Sequence, residues 1–249
     1  SDAHQGEYVS PHDERLAWLT GFAGSAGFCV VLQRVAGVFI DGRYTLQVRD
    51  QIDLDAYEPV SIPQTSAADW LRAHARAGDV IGFDPWLHTP DEIGKIEAGL
   101  SGSGIVLQAL RENPLDAVWT DQPPASVGAV REHPLALAGQ SAAEKRARLA
   151  AQLQRAGATA SVITLADSLS WLMNWRGADI IRNPVVQGFA ILHDDARLDL
   201  FLDPSKLAGI AEQPGVTRHA PDGFLPALKA LNGAVSFDAG TAPVAVKSA

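Results

Sequence analysis

The chain has 249 residues, 47% of them apolar and 20% charged, with a formal net charge of −9 and a single cysteine. That length suits one large domain or two of ordinary size, and the acidic balance argues against nucleic acid as a partner, because phosphate binding needs a basic surface. No stretch is long and apolar enough to span a bilayer, and one cysteine excludes an internal disulfide framework or a cysteine-rich zinc site, so a cytoplasmic protein is expected.

In chain order, residues 13–19 read as a helix with Asp13 available as N-cap. Residues 28–32 and 37–40 read as strands joined by a short polar turn, and Cys29 within the first is expected to be a buried, structural thiol. Residues 43–51 have helical spacing, with Tyr44, Leu46, Val48 and Ile52 apolar. A helix over 67–77 closes at Gly78, a strand covers 80–83, and a helix over 90–100 starts with Thr89 as N-cap and Pro90 at the first helical position. A last strand covers 105–107. Residues 121–134 are the expected linker, since Gln122-Pro123-Pro124-Ala125-Ser126 carries paired prolines.

The second half opens with a helix over 142–155, capped by Ser141, completed as a capping box by Glu144 and ended at Gly157. A strand over 161–164, a helix over 168–175 and strands over 189–192 and 199–202 follow. A short helix from Pro204, a strand over 216–218, a helix over 223–231 and a strand over 234–237 complete the chain. Strands alternating with helices predict an α/β fold.

The two halves repeat one another. Leu16, Trp18, Leu19 and Gly24 recur at Leu169, Trp171, Leu172 and Gly177, Phe22 recurs as Trp175, and Glu14 as Asp167, all at a constant offset of 153 residues (18 to 171). Further on, Val38-Phe39-Ile40-Asp41 echoes Leu200-Phe201-Leu202-Asp203, and Phe83-Asp84 echoes Phe237-Asp238. Solenoid units are only about 20–50 residues long, so this period means two domains of one fold. The boundaries expected are 1–120 and 135–249, and the repeated Trp18 and Trp171 are expected in the shared core. In the second half a helix and strand (142–164) precede the tryptophan motif, whereas only residues 1–13 precede it in the first. The missing pair is therefore expected before Ser1, in a longer protein of which this chain is a fragment.

Chemistry is sparse. Ala23-Gly24-Ser25-Ala26-Gly27 approaches a nucleophile elbow, which would make the chain a serine hydrolase through Ser25, but it follows a helix and opens a strand, the reverse of an elbow. None of the seven histidines forms a His-x-x-x-His pair. His193-Asp194-Asp195 reads as a hairpin turn rather than a metal site. Gly99-Leu100-Ser101-Gly102-Ser103-Gly104 lies between a helix and a strand, the opposite order to a dinucleotide loop. In Asp41-Gly42-Arg43-Tyr44 either Asp41 caps the helix and Gly42 supplies a tight turn, with Arg43 an ordinary residue of the helix start, or Arg43 reaches a peptide carboxylate or partner subunit. Arg176 and Asp179 are expected to pair across their loop.

Asp13-Glu14-Arg15-Leu16-Ala17-Trp18-Leu19-Thr20-Gly21-Phe22-Ala23-Gly24-Ser25-Ala26-Gly27, followed by Asp41-Gly42-Arg43-Tyr44, resembles the first N-terminal domain of three-domain Xaa-Pro aminopeptidases (the aminopeptidase P family). Leu169-Ser170-Trp171-Leu172-Met173-Asn174-Trp175-Arg176-Gly177-Ala178-Asp179, with Asn183-Pro184-Val185, resembles the second. The resemblance implies two tandem creatinase/prolidase N-terminal folds, each a mixed sheet between helices. It further implies a C-terminal catalytic domain with two divalent ions, usually Mn²⁺, that releases the residue before a penultimate proline. No metal ligand carries over onto these residues, so the chain is expected to bear no cofactor and to be silent alone. In such an enzyme it would shield the active site and support a homodimer, with Arg43 and Tyr44 facing the substrate cleft or a partner subunit. The alternative kept open is a stand-alone peptide- or protein-binding module.

Overall fold

Helix α1 (Arg15–Thr20) ends where Gly21 turns left-handed, φ +81°, and returns its N–H to the Ala17 carbonyl. A Cβ on Gly21 would lie 2.5 Å from the Gln51 carbonyl oxygen, so backbone angle and close approach both select glycine. The computed structural model describes residues 2–249. Pro11–Pro124 form one unit, and Asp2–Ser10 with Ala125–Ala249 form the other.

After α1, strands β1 (Gly27–Val31) and β2 (Ala36–Ile40) form an antiparallel hairpin with Gly27 opposite Ile40. A one-turn 3-10 helix (Gly42–Tyr44) and α2 (Gln47–Gln51) lead to β3 (Glu58–Ser61), which pairs parallel to β2. Helix α3 (Ala67–His74), strand β4 (Val80–Phe83), helix α4 (Pro90–Leu100) and strand β5 (Val106–Ala109) follow, and β4 and β5 pair parallel in a sheet of their own. Strand β2 is buried on both faces. Phe39 packs with Val60, Trp70 and Leu100, while Val38 and Ile40 pack with Phe22, Val48 and Ile52, as the alternation of a strand dictates.

The other unit contains β6 (Arg131–Glu132), α5 (Leu135–Ala138), α6 (Ala142–Ala156), β7 (Ala160–Ile163), α7 (Ala166–Met173) and β8 (Trp175–Arg176). Then come β9 (Phe189–His193), β10 (Leu198–Phe201), β11 (Val216–His219), α8 (Phe224–Lys229), β12 (Val235–Ser236) and α9 (Val244–Lys247). Five strands make one mixed sheet in the order β11-β10-β9-β7-β12, and β6 pairs with β8. Strand β9 is antiparallel to both neighbours, while β10–β11 and β7–β12 are parallel. Leu169, Leu172, Met173 and Trp175 pack against Leu192, Leu198 and Leu200.

The duplication seen in the sequence is a duplication of topology. Helix, antiparallel hairpin and parallel third strand run α1-β1-β2-β3 in one unit and α7-β9-β10-β11 in the other. Asn174, at φ +52°, closes α7 where Gly21 closes α1. The expected capping box at Ser141 is formed, and the expected N-cap Thr89 forms one as well, with Glu92. Two expected helices are shorter. The run over 43–51 breaks because the Asp41 carboxylate accepts the Arg43 N–H and starts a 3-10 turn, leaving α2 to begin at Gln47. Helix α3 stops at His74, since the Asp79 carboxylate takes the Arg76 N–H and Gly78, at φ +94°, turns the chain.

Candidate functional site

Helix α7 carries Leu169, Leu172 and Met173 into the core, which leaves Trp171 on the far face, 45% exposed. Trp18 on α1 is 40% exposed in the same way. The expectation that the repeated tryptophans are core residues is therefore wrong. Phe22 and Trp175, just past each helix cap and 1% exposed, fill that role. Trp18 stacks on Trp119 at a ring separation of 5.4 Å.

Trp171 is held by a lysine. Lys145 of α6 is buried; its Nζ donates to the Trp171 carbonyl at 2.7 Å and to Asn174 Oδ1 at 2.5 Å, and lies 4.4 Å from the indole centroid. Burial, reinforced by Arg148 and Arg176, lowers the pKa of this ammonium. Beside it opens a cavity of about 400 Å³ lined by His133, Asp167, Trp171, Asn174 and Arg176. Ser170 also lines it, but its hydroxyl donates to the Ala166 carbonyl and accepts the Val186 N–H, so it serves the fold. An indole face, a buried ammonium and an arginine suit the binding of carbonyl or carboxylate groups.

Arg176 and Asp179 do not pair. Asp179 is enclosed, with Lys206 Nζ at 2.9 Å and the N–H groups of Gly128 and Gln187 at 3.0 and 2.8 Å. Arg176 donates instead to the Trp175 carbonyl. The reason is local: β8 turns Trp175 inward and Arg176 toward the cavity, while the 3-10 helix after β10 delivers Lys206 to the carboxylate.

In the first unit Arg43 and Tyr44 diverge. The exposed Arg43 guanidinium lies 2.6 Å from Asp41 and holds that carboxyl below its ordinary range. Tyr44 packs edge-on to Phe22, and its hydroxyl lies 2.9 Å from Ser25 Oγ and accepts the Ser25 N–H at 3.2 Å. Ser25 sits between α1 and β1, the helix-to-strand order that an elbow does not have.

The His193-Asp194-Asp195 run is a hairpin turn between β9 and β10. His193 Nε2 meets one Asp199 oxygen at 2.7 Å and His219 Nε2 meets the other at 2.8 Å. Burial acts to raise the Asp199 pKa, but the bonds to His219 and His193 outweigh it and hold the carboxyl below its ordinary range. Among the described residues no group of three or more His, Cys, Asp or Glu side chains is placed to hold a metal ion, and no helix is long and apolar enough to cross a membrane.

Comparison with known proteins follows the duplication. Residues 7–121 and residues 121–249 each match a family model described as the creatinase/prolidase N-terminal domain. Aminopeptidase P1 of Lotus japonicus is 36% identical over 208 residues, 83% of this chain and 31% of its own length. A probable Xaa-Pro aminopeptidase P of Ajellomyces dermatitidis is 36% identical over 213 residues, 83% of this chain and 34% of its own. The X-prolyl aminopeptidase of Caenorhabditis elegans, described as a cytosolic enzyme with a di-nuclear active site, superposes with a TM-score of 0.90 at 29% identity. That superposition covers 99% of this chain and 42% of the other. The chain thus spans about a third of the length of the curated relatives it matches, 31% and 34% in these two cases.

Proposed function

The chain belongs to the creatinase/prolidase N-terminal domain family, and from that premise we propose that it is the non-catalytic, two-domain part of an Xaa-Pro aminopeptidase. The observation that carries this reading is the superposition of 99% of the chain on less than half of an X-prolyl aminopeptidase. In this reading the remaining polypeptide holds two divalent ions, Mn²⁺ being the expected pair. Such ions would supply Lewis-acid chemistry to the scissile carbonyl before a penultimate proline and a water of lowered pKa. The residues here do not fit such a pair, because their carboxylates and imidazoles are used elsewhere: Asp199 bridges His193 and His219, and Asp179 pairs with Lys206. No step of hydrolysis is assigned to them.

The two domains, whose expected bounds of 1–120 and 135–249 give way to units of Pro11–Pro124 and of Asp2–Ser10 with Ala125–Ala249, limit access to the active site and support a homodimer in the cytoplasm. Arg43 is the residue proposed to face the substrate cleft or the partner subunit; its exposure and its anchoring by Asp41 support that role. Tyr44 contributes by fixing the Ser25 loop beside it. The test is an assay with Mn²⁺ and an Xaa-Pro peptide. The 249-residue chain should release no amino acid, and the full-length protein should. Turnover by the chain alone, or none by the full-length protein, overturns the proposal. Sedimentation of the full-length protein tests the dimer.

A further inference from the structure

Three cations gather at the end of α7 without a counter-charge. Lys145 Nζ lies 4.4 Å from the centre of the Trp171 ring, and the Arg148 guanidinium carbon lies 5.8 Å from it. Arg176 of β8 lines the cavity that the same indole lines. Among the described residues no carboxylate forms an ion pair with any of the three. The contrast within the same unit is Lys206, buried like Lys145 (5% and 2% exposed), whose ammonium sits 2.9 Å from Asp179. A cation at a helix C-terminus is favourable, which accounts for Lys145 meeting the Trp171 carbonyl. It does not account for three uncompensated charges beside one indole. Burial, then repulsion from Arg148 and Arg176, lowers the Lys145 pKa, as expected of a cluster that lacks an anion.

Donors remain unspent in this cluster. An ammonium has three N–H groups, and Lys145 uses two, on the Trp171 carbonyl and on Asn174. A guanidinium has five, and Arg176 uses one, on the Trp175 carbonyl. His133 lines the same end of the cavity, because its backbone N–H donates to the Asn174 carbonyl at 2.7 Å. Asp167 lines the cavity seven residues earlier on α7, about 10 Å along the helix axis from Asn174. The recess is therefore polarised, with cations at one end and a carboxylate at the other. Leu137, Pro184 and Val185 supply apolar wall around the exposed indole.

We propose that this cavity binds the C-terminal end of a short peptide, with the α-carboxylate held by Arg176 and Lys145 and the last side chain against Trp171. Arg176 offers the planar fork that matches a carboxylate, and Lys145 supplies a buried charge and its third N–H. The indole face accepts an aromatic or apolar side chain. At about 400 Å³ the cavity is within the range of small-ligand sites. Asp167 repels a carboxylate at its own end and so sets the direction in which the peptide lies. A free small anion is the lesser occupant, since it leaves the indole and the apolar wall uncovered.

The test is titration with N-acetyl-Ala-Phe as the free acid, with its C-terminal amide and with acetate. Calorimetry reads binding to the 249-residue chain and to the full-length protein. In the ¹⁵N-tryptophan-labelled chain the indole N–H signal of Trp171, assigned by its loss in Trp171→Phe, reports the place of binding. The acetylated peptide has no free amino end for an aminopeptidase, so the outcome does not depend on the activity proposed above. The free acid should bind both proteins and shift the Trp171 signal, and the amide should bind about tenfold or more weakly, as loss of a hydrogen bond to a charged group implies. Arg176→Ala, whose side chain is half-exposed, should lose the same factor with its thermal melt unchanged, and Arg176→Lys should recover part of it. Equal affinity for acid and amide, no binding at all, or binding that leaves the Trp171 signal in place overturns the proposal. Acetate binding as tightly as the peptide also overturns it, by assigning the cluster to small anions. So does binding by the 249-residue chain that vanishes in the full-length protein, which would make the recess an internal contact.

Discussion

Lys145 Nζ donates to the carbonyl oxygen of Trp171 and lies over the indole ring of the same residue, 4.4 Å from its centre. One cation thus fixes both the end of α7 and the exposed aromatic that the helix presents. Lys145→Met keeps the apolar stem but removes the ammonium, leaving the Trp171 carbonyl and the Asn174 side chain short of a donor. The expected cost is about 2 kcal/mol, the range for hydrogen bonds to a charged group. Urea unfolding followed by circular dichroism reads it, and a change below about 0.5 kcal/mol contradicts the assigned role.

Gly21 and Gly42 make a matched pair for testing the duplicated helix cap. Gly21 has φ +81° and a neighbouring carbonyl oxygen 2.5 Å from any Cβ, whereas a Cβ on Gly42 meets nothing within 4 Å. Gly21→Ala is expected to destabilise the chain by about 2 kcal/mol or more, because it combines a left-handed backbone with a clash. Gly42→Ala should stay within about 0.5 kcal/mol of the parent. Thermal melts of the two variants decide the matter, and equal shifts would remove Gly21 from its role.

The bridge from Asp199 to His193 and His219 has a pH signature. The folded-state pKa of Asp199 is depressed, so its contribution is complete above the unfolded value, near 4, and is lost as pH falls through the folded one. Asp199→Asn should lower stability at neutral pH, and the gap between parent and variant should narrow as pH drops from about 4 toward 2. Melting temperatures across that window measure it. A gap that stays constant into strong acid shows that the carboxylate charge contributes nothing.

The helix caps and the repeat were legible because their signals are local. Thr89 before Pro90, and Ser141 three residues before Glu144, state a helix start in the sequence itself. Tertiary competition hid the rest. The 67–77 pattern continues past His74, but a single carboxylate, Asp79, captures the Arg76 N–H. Trp18 and Trp171 recur as core residues do, yet helical phase assigns the core to their neighbours; counting that phase from Leu169 and Leu172 would have found it. Arg176 and Asp179 sit three apart in sequence, while the partner of Asp179 lies at Lys206, beyond any local rule. Lys145 gave no signal, since a lysine in a charged helix reads as solvated until its carbonyl partners are seen.

Cys29 offers a final test of how closely β1 is packed. Its strand lies between the hairpin partner β2 and an opening beside β4, and the thiol is partly enclosed next to Tyr57. Burial pushes its pKa up to about 12, so at pH 8 only about one molecule in ten thousand carries the thiolate that attacks a disulfide reagent. The native chain should therefore react with an aromatic disulfide at least about a hundredfold more slowly than the same chain in strong denaturant, where the thiol recovers an ordinary value near 8.5. Cys29→Ser places a hydroxyl in the same site and should lower stability by about 1 kcal/mol, the cost of burying a polar group without an ideal partner. Native reactivity equal to that of the unfolded chain would mean that the thiol faces water, and with it that β1 is not held against the core as described.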